Sequence, residues 1–468
     1  MKANFPPRWP ILAVMIVAEI MDLAASTIVN VGGPALIESL GATPTQMQWG
    51  IGGYALTLGA GLVLGGRLGD RYGRRPMFLY GLAAFSIASL LCALAPTIAL
   101  LIAFRMVQGV AGAMLLPQGL GLLRENYCGP DLAKVFGIFG PILGLAGILG
   151  PVLGGVLVEA DVFGLGWRSV FLMNVPIGMA CFSIAWKYLP HRAGDLSIKI
   201  DLIGTMILAV SSVLIVLPLG GEGWSRWGWA CLGSAAVGVG LFVARQSSVV
   251  KAGRTPLVMP SIFQHSAYTA GLIGIALFFC SLVGMQLVLT LFLQIGHGFT
   301  PGEASIASLP FAVGTACGAT LSGAILAARF GRKVLQLGAA VQLAGVALLK
   351  FELGTTSAFS AWQVAPGMLM CGIGAGLVIA ALFSIILAAL DEKQIGSGSG
   401  VLSAVQSIAA SVGVAVFSST FFLARPAVEP ASALSAALTV QTIVLLAFIG
   451  ITLFFPINAN AALEAQHG

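Results

Sequence analysis

The chain has 468 residues, of which 58% are hydrophobic and only 9% charged, with a formal net charge of +6. Soluble domains carry roughly 25% charged residues, so a water-soluble globular protein is excluded; low polarity and the lack of a Gly triplet period exclude a disordered or collagen-like chain. A membrane-crossing helix takes about 20 apolar residues, so the length accommodates about 12 to 15 spans.

Hydropathy windows of about 19 residues place fourteen spans, near 10–32, 47–66, 77–96, 98–121, 134–158, 169–189, 202–220, 228–244, 268–294, 304–328, 334–349, 362–389, 398–423 and 434–456. The N-terminal MKANFPPRW is followed by an apolar run without a small-residue cleavage site, which predicts a retained first span rather than a signal peptide. Within that span stand Glu19 and Asp22. At about 100° per residue, Glu19, Asp22, Ser26 and Asn30 fall within an arc of about 80°. They form one polar stripe on an otherwise apolar helix, and that stripe must face a protein interior or a water-filled cavity. An ionised carboxylate at mid-membrane costs about 2.5–3.5 kcal/mol on insertion scales. Two carboxyls one turn apart also repel each other when both are ionised, so the pair is suited to carrying a proton. The competing reading is a purely structural pair, satisfied by hydrogen bonds to neighbouring helices.

After the second span comes GRLGDRYGRR, residues 66–75. Its arginines set topology, but Asp70 and the glycine spacing ask for more. Asp70 is placed to pair with an arginine or to cap a neighbouring helix N-terminus. In the fourth span Arg105 is the only basic residue deep in the apolar region, with Gln108, Gly109 and Gly112 on its face. Arginine stays charged, so it needs an anion, a carbonyl cage or water; Glu19 and Asp22 are its candidate anions. The fifth span gathers Gly137, Gly140, Gly144, Gly147, Gly150, Pro151, Gly154 and Gly155 on one face, a surface for close backbone approach with a kink at Pro151. Spans nine to fourteen contain no acid by these boundaries. They offer amides instead, Gln286 and Gln294 with Thr290 between them, and Gln406. Amides at lipid level are interhelical hydrogen-bond donors or, in a transporter, cavity residues.

A short repeat supplies the organisation. RYGRR at 71–75 recurs as RFGRK at 329–333, eight spans later. Two six-span halves separated by a two-span insert produce that offset. The reading is therefore an all-α integral membrane protein divided into 1–190, 191–260 and 261–468. Transporters are often built from such repeated halves, with substrate bound between them. Charge placement sets the orientation: eighteen of the 23 Lys and Arg fall in alternate loops on the side of the N-terminus. The positive-inside rule then puts both termini in the cytoplasm, and it explains the basic balance without nucleic acid. The eight Trp lie near span ends, as interfacial anchors do.

Enzymatic signatures do not emerge. None of the lysines follows a glycine, so no GxxxxGK[ST] phosphate loop exists. The four histidines form no HExxH, the seven cysteines form no CxxC, and GSGSG at 396–400 lacks a serine at the third position of a nucleophile elbow. Neither a metal nor a cofactor is expected.

These residues resemble the major facilitator superfamily, and within it the fourteen-span drug:proton antiporters. GRLGDRYGRR matches the loop signature GxxxDRxGRR, and LIAFRMVQGVAGAMLLP at 101–117 is similar to the fourth-span pattern LxxxRxxQG…P. GPVLGG at 150–155 matches the antiporter signature GPxxGG, WRSVFLMNVPIG at 167–178 resembles the start of the sixth span, and TIVNVGGP at 27–34 resembles TIVNVALP. The resemblance implies a proton-coupled exporter of amphipathic drugs or metabolites, acting as a monomer in the plasma membrane by alternating access. An importer of one metabolite and a lipid-handling transporter are the alternatives. It further implies that Gly66, Asp70, Arg71, Gly73, Arg74 and Arg75 form a gating loop, that Arg105 joins Glu19 and Asp22 in proton coupling, and that Gly150, Pro151, Gly154 and Gly155 favour exchange over leak. Asn30, Gln108, Gln286, Gln294 and Gln406 are candidate cavity residues. Two departures stand out: MDLAASTIVNV has Ala25 where the pattern has a second acid, and Ala328 occupies the position equivalent to Asp70.

Overall fold

The structure, a computed structural model, describes residues 8–127, 150, 153–161, 164–220, 226–254, 256–322, 326–355, 361–387, 390, 392–424 and 430–455. Among them thirteen helices are long and apolar enough to cross a membrane. They are α1 Arg8–Leu40, α2 Pro44–Tyr72, α3 Arg74–Ala93, α4 Ile98–Asn126, α5 Arg168–Tyr188, α6 Leu202–Leu219, α7 Arg226–Lys251, α8 Ser266–Gly296, α9 Pro301–Leu321, α10 Arg332–Thr355, α11 Ala361–Leu387, α12 Glu392–Ala424 and α13 Pro430–Thr452. Each corresponds to an expected span. The expected fifth span lies outside the described residues except for Gly150 and 153–158.

Several helices run well past their apolar stretch, because i→i−4 backbone bonding continues into polar sequence whereas a hydropathy window stops there. α10 is the informative case. It reaches Thr355 and so includes Lys350 and Glu352, which corrects the expectation that the last six spans hold no acid. Lys350 Nζ donates to Thr439 Oγ1 of α13 at 2.8 Å.

Local chemistry sets the helix starts. Thr43 caps α2 in a reciprocal box with Gln46, at 3.2 and 2.9 Å, and Pro44 occupies the first turn. Thr300, Pro301 and Glu303 repeat the device at α9, with the same two distances. Such boxes satisfy two otherwise orphaned N–H groups. α2 and α9 thus share both a Thr-Pro cap at the start and a basic loop near the end, so the internal repeat extends beyond the five-residue match. α5 breaks between Leu172 and Asn174, because Pro176 has no N–H to offer the Leu172 carbonyl.

α1 to α5 pack together as one group and α8 to α13 as another. Small residues permit the closest pairs, as expected where helices gain little from apolar burial alone. A Cβ on Gly65 of α2 would fall 1.8 Å from the Ala113 carbonyl oxygen of α4. The groups meet along α2 and α12: a Cβ on Gly59 would stand 2.8 Å from the Ala404 oxygen, and one on Gly52 would stand 3.0 Å from Ser411 Oγ. Toward the loop 66–75 this seam parts, and a Cβ on Gly400 would meet nothing within 4 Å. The apolar core agrees. At the end opposite that loop, Leu36, Met47, Ile51 and Leu101 share one continuous core with the second group. Toward the loop, Ile11, Met15, Phe78 and Leu122 form a separate core, to which the second group adds Ala404 alone. α6 and α7 pair with each other, and α6 lies against α2 and α12, with Val216 between Leu56 and Ala415.

Candidate functional site

The intramembrane charges converge on one buried polar chain in the first helix group. Asp22 of α1 is 5% exposed and Arg105 of α4 is fully buried, while Glu19 is half-buried. The two charges do not pair directly, and the expected Arg105 ion pair with Glu19 or Asp22 is not formed among the described residues. Tyr54 of α2 stands between them. Its hydroxyl donates to Asp22 Oδ1, and its ring lies under the guanidinium, 4.3 Å from centroid to Cζ. A guanidinium so placed is attracted by the ring quadrupole, more strongly when desolvated.

Arg105 is held by a carbonyl and an amide instead. Nε donates to the Gly50 oxygen at 3.2 Å and Nη1 to Gln108 Oε1 at 2.8 Å. Nη2 is buried without a hydrogen-bond partner among the described residues. From Gln108 the chain continues: Gln108 Nε2 and Asn174 Nδ2 each donate to Ser89 Oγ at 3.1 Å. Ser89 in turn donates to the Phe171 oxygen at 2.9 Å, near the break in α5. Five helices thus contribute to one path. Glycines bring its members together: a Cβ on Gly112 would stand 3.1 Å from Asp22 Oδ1 and 3.2 Å from Tyr54 Oη. Side chains at that position would drive α1 and α2 away from α4.

The loop 66–75 forms the second assembly. Gly73 has φ +95° between α2 and α3, a backbone region that glycine enters without a Cβ penalty. Asp70 accepts from Arg74 at 3.0 Å, lies 3.8 Å from Arg67, and Arg74 bridges on to Glu125 of α4 at 2.9 Å. Of its two foreseen roles, Asp70 therefore takes the ionic one. The arginines also reach the polar segments flanking α6 and α7. Arg71 donates to the Ile198 oxygen and Arg67 to the Pro256 oxygen at 2.8 Å, while Arg75 donates to the Trp186 oxygen of α5 at 2.6 Å. A Cβ on Gly66 would stand 3.8 Å from Pro117 Cβ, so this position is not crowded.

The remaining candidates are spread out. Gly155 packs against the second helix group at the end away from the basic loop, where a Cβ would fall 2.0 Å from Ser305 Oγ and 2.5 Å from the Pro301 oxygen. Gly150 and Gly154 are buried. Pro151, the other glycines of that face up to Gly147, and the side chain of Asn30 lie outside the described residues. Gln286 lines a small cavity with Gln342 and Gln441; Gln294 and Gln406 are not part of it. Sequence reasoning missed Tyr54, Ser89 and Asn174. A tyrosine deep in a span, away from the interfacial belt, was the available signal for the first.

The family model described as Major Facilitator Superfamily matches residues 15–414. The "Probable actinorhodin transporter" of Streptomyces coelicolor is 42% identical over 428 residues, which span 90% of this chain and 74% of that protein. The "Tetracenomycin C resistance and export protein" of Streptomyces glaucescens is 30% identical over 419 residues, 87% of this chain and 75% of that one. The "Methylenomycin A resistance protein" of Bacillus subtilis is 32% identical over 413 residues, 87% of this chain and 86% of that one. Among solved structures, a bacterial homologue of the human drug peptide transporters PepT1 and PepT2 aligns with a TM-score of 0.66, 16% identity, and coverage of 98% of this chain and 99% of that one. At that identity the likeness concerns the fold.

Proposed function

Because the chain belongs to the Major Facilitator Superfamily, we propose that it exports amphipathic small molecules of the antibiotic class in exchange for protons, by alternating access across the plasma membrane. One observation carries the coupling: the buried Asp22 carboxylate and the buried Arg105 guanidinium share Tyr54, one through a hydrogen bond and the other through its ring. Export rests on the relatives, whose names describe a transporter, an export protein and a resistance protein.

The basic loop 66–75 marks the cytoplasmic face by the positive-inside rule. The seam between the helix groups, closed at the opposite end, then corresponds to a cavity reached from the cytoplasm. Residues 1–190 and 261–468 are the two moving bundles and 191–260 the insert. Substrate enters from inside while Asp22 or Glu19 is ionised. A proton from outside neutralises the carboxylate, weakens its hold on Tyr54 and leaves the Arg105 charge to be answered by other groups, including through its unpartnered Nη2. Return to the inward state delivers that proton to the cytoplasm. Each charge moved across 100 mV contributes about 2.3 kcal/mol, enough for roughly a fiftyfold gradient. In this reading the signature at 150–155 seals the outer end while the cavity faces inward, and Asp70 with its arginines gates the inner end when the cavity faces outward.

Direction of transport is tested by expressing the chain in an efflux-deficient bacterium and measuring cellular accumulation of actinorhodin, tetracenomycin C and methylenomycin A. Lowered accumulation of at least one compound is expected. Raised accumulation would show an importer and contradict the proposal.

A further inference from the structure

The second helix group contains an enclosed polar spot that the coupling chain does not use. Gln286 of α8, Gln342 of α10 and Gln441 of α13 line a cavity of about 10 Å³, together with Met285, Met368 and Cys371. Gln342 and Gln441 are each 1% exposed, and the amide oxygen of each is buried without a partner. Buried amide oxygens are normally satisfied, and leaving one orphaned is costly. Two orphans on one cavity ask for an occupant.

The chemistry of the walls restricts what that occupant is. Both unsatisfied atoms are acceptors, so it must donate. No Asp, Glu, Lys, Arg or His lines the cavity, so a cation would be buried without a counter-charge, which is strongly unfavourable. The volume admits about one water-sized group, and a water needs two to four polar partners, which the three amides supply. We propose that this cavity, to which α8, α10 and α13 bring the amides and α9 and α11 apolar walls, is a binding site for a single neutral O–H donor, held by the amide oxygens of Gln342 and Gln441. The donor is a resident water, or the hydroxyl of a transported amphiphile that the flexible thioethers of Met285 and Met368 let in. Only the second source rests on the export reading. In either case this group acquires a polar centre without a carboxylate, whereas the first group builds its own from Asp22, Tyr54 and Arg105.

X-ray hydroxyl-radical footprinting of the full chain in lipid nanodiscs tests the site, because ordered water beside a methionine accelerates its oxidation. Met47 is the reference, as buried as Met368 and in the same apolar core. Met285 and Met368 are expected to oxidise severalfold faster than Met47. The acceleration should vanish in the Gln342→Leu, Gln441→Leu double variant while labelling elsewhere is unchanged; Gln342→Met alone, closer in volume, covers the case in which the double variant fails to fold. Protection by 1-hydroxyanthraquinone but not by anthraquinone assigns the site to a substrate hydroxyl, and protection by neither assigns it to water. Equal rates at Met285, Met368 and Met47, or acceleration that persists in folded variants, would overturn the site.

Discussion

At the scale of single residues, the side chain that decides how the polar chain works is Tyr54. Its hydroxyl completes Asp22 and its ring supports Arg105, so Tyr54→Phe removes the first contact and keeps the second. A buried carboxylate oxygen left without its donor is penalised by about 1–3 kcal/mol. The expected outcome is a folded protein whose transport rate has a displaced pH dependence, with substrate KM nearly unchanged. A wild-type pH profile in purified Tyr54→Phe would remove Tyr54 from the coupling path. Glu19, Asp22 and Arg105 were legible in the sequence because a charge in lipid is expensive wherever it points, and Gln108 because it lies one turn from Arg105 on the same face. Tyr54, Ser89 and Asn174 were not, since neutral polar groups carry no such penalty and their role depends on which helices become neighbours. The same dependence explains why Arg105 was expected to meet a carboxylate and instead meets the Gly50 carbonyl, Gln108 and an aromatic ring.

At the scale of elements, the segments flanking α6 and α7 tie the gate to both helix groups. Asp201 caps α6 through Gly204 N–H at 3.0 Å and accepts from Arg245 at 2.7 Å and from Gln246 at 3.0 Å. Gln246 Oε1 then accepts from Leu257 N–H at 2.8 Å, one residue from the Pro256 carbonyl that Arg67 holds. On the other side, Met259 N–H donates to Ser397 Oγ of α12 at 3.1 Å and Gln394 to Ser261 Oγ at 2.9 Å. Burial raises the Asp201 pKa, but Arg245, the Gly204 N–H and Gln246 outweigh it and hold the carboxyl below its ordinary range. A depressed pKa contributes stability that is complete above the unfolded value and is lost as pH falls through the folded one. Asp201→Ala should therefore lower the melting temperature of the purified protein at neutral pH. The gap to wild type should narrow as pH falls below the ordinary carboxylate range; a gap that widens there would contradict the clamp. Hydropathy placed these helices, but it could not show the clamp, because its partners come from segments that a window reads only as polar.

At the scale of the whole molecule, the repeat in the sequence implied two related halves; the helices pack as two groups, and the paired Thr-Pro caps of α2 and α9 are a second shared feature. Which end of the seam is closed was not legible. It depends on contacts such as Gly155 with Ser305 and Gly59 with Ala404, between residues far apart in the chain whose glycines read equally well as lipid-level packing. The central claim is that the stripe on α1 carries the proton that drives export. Its most direct test is proton flux across proteoliposomes on addition of a transported compound, compared among wild type, Asp22→Asn and Glu19→Gln. The account predicts compound-dependent flux in wild type and its loss in at least one of the two variants, with compound binding retained. Flux at the wild-type level in both variants would contradict it.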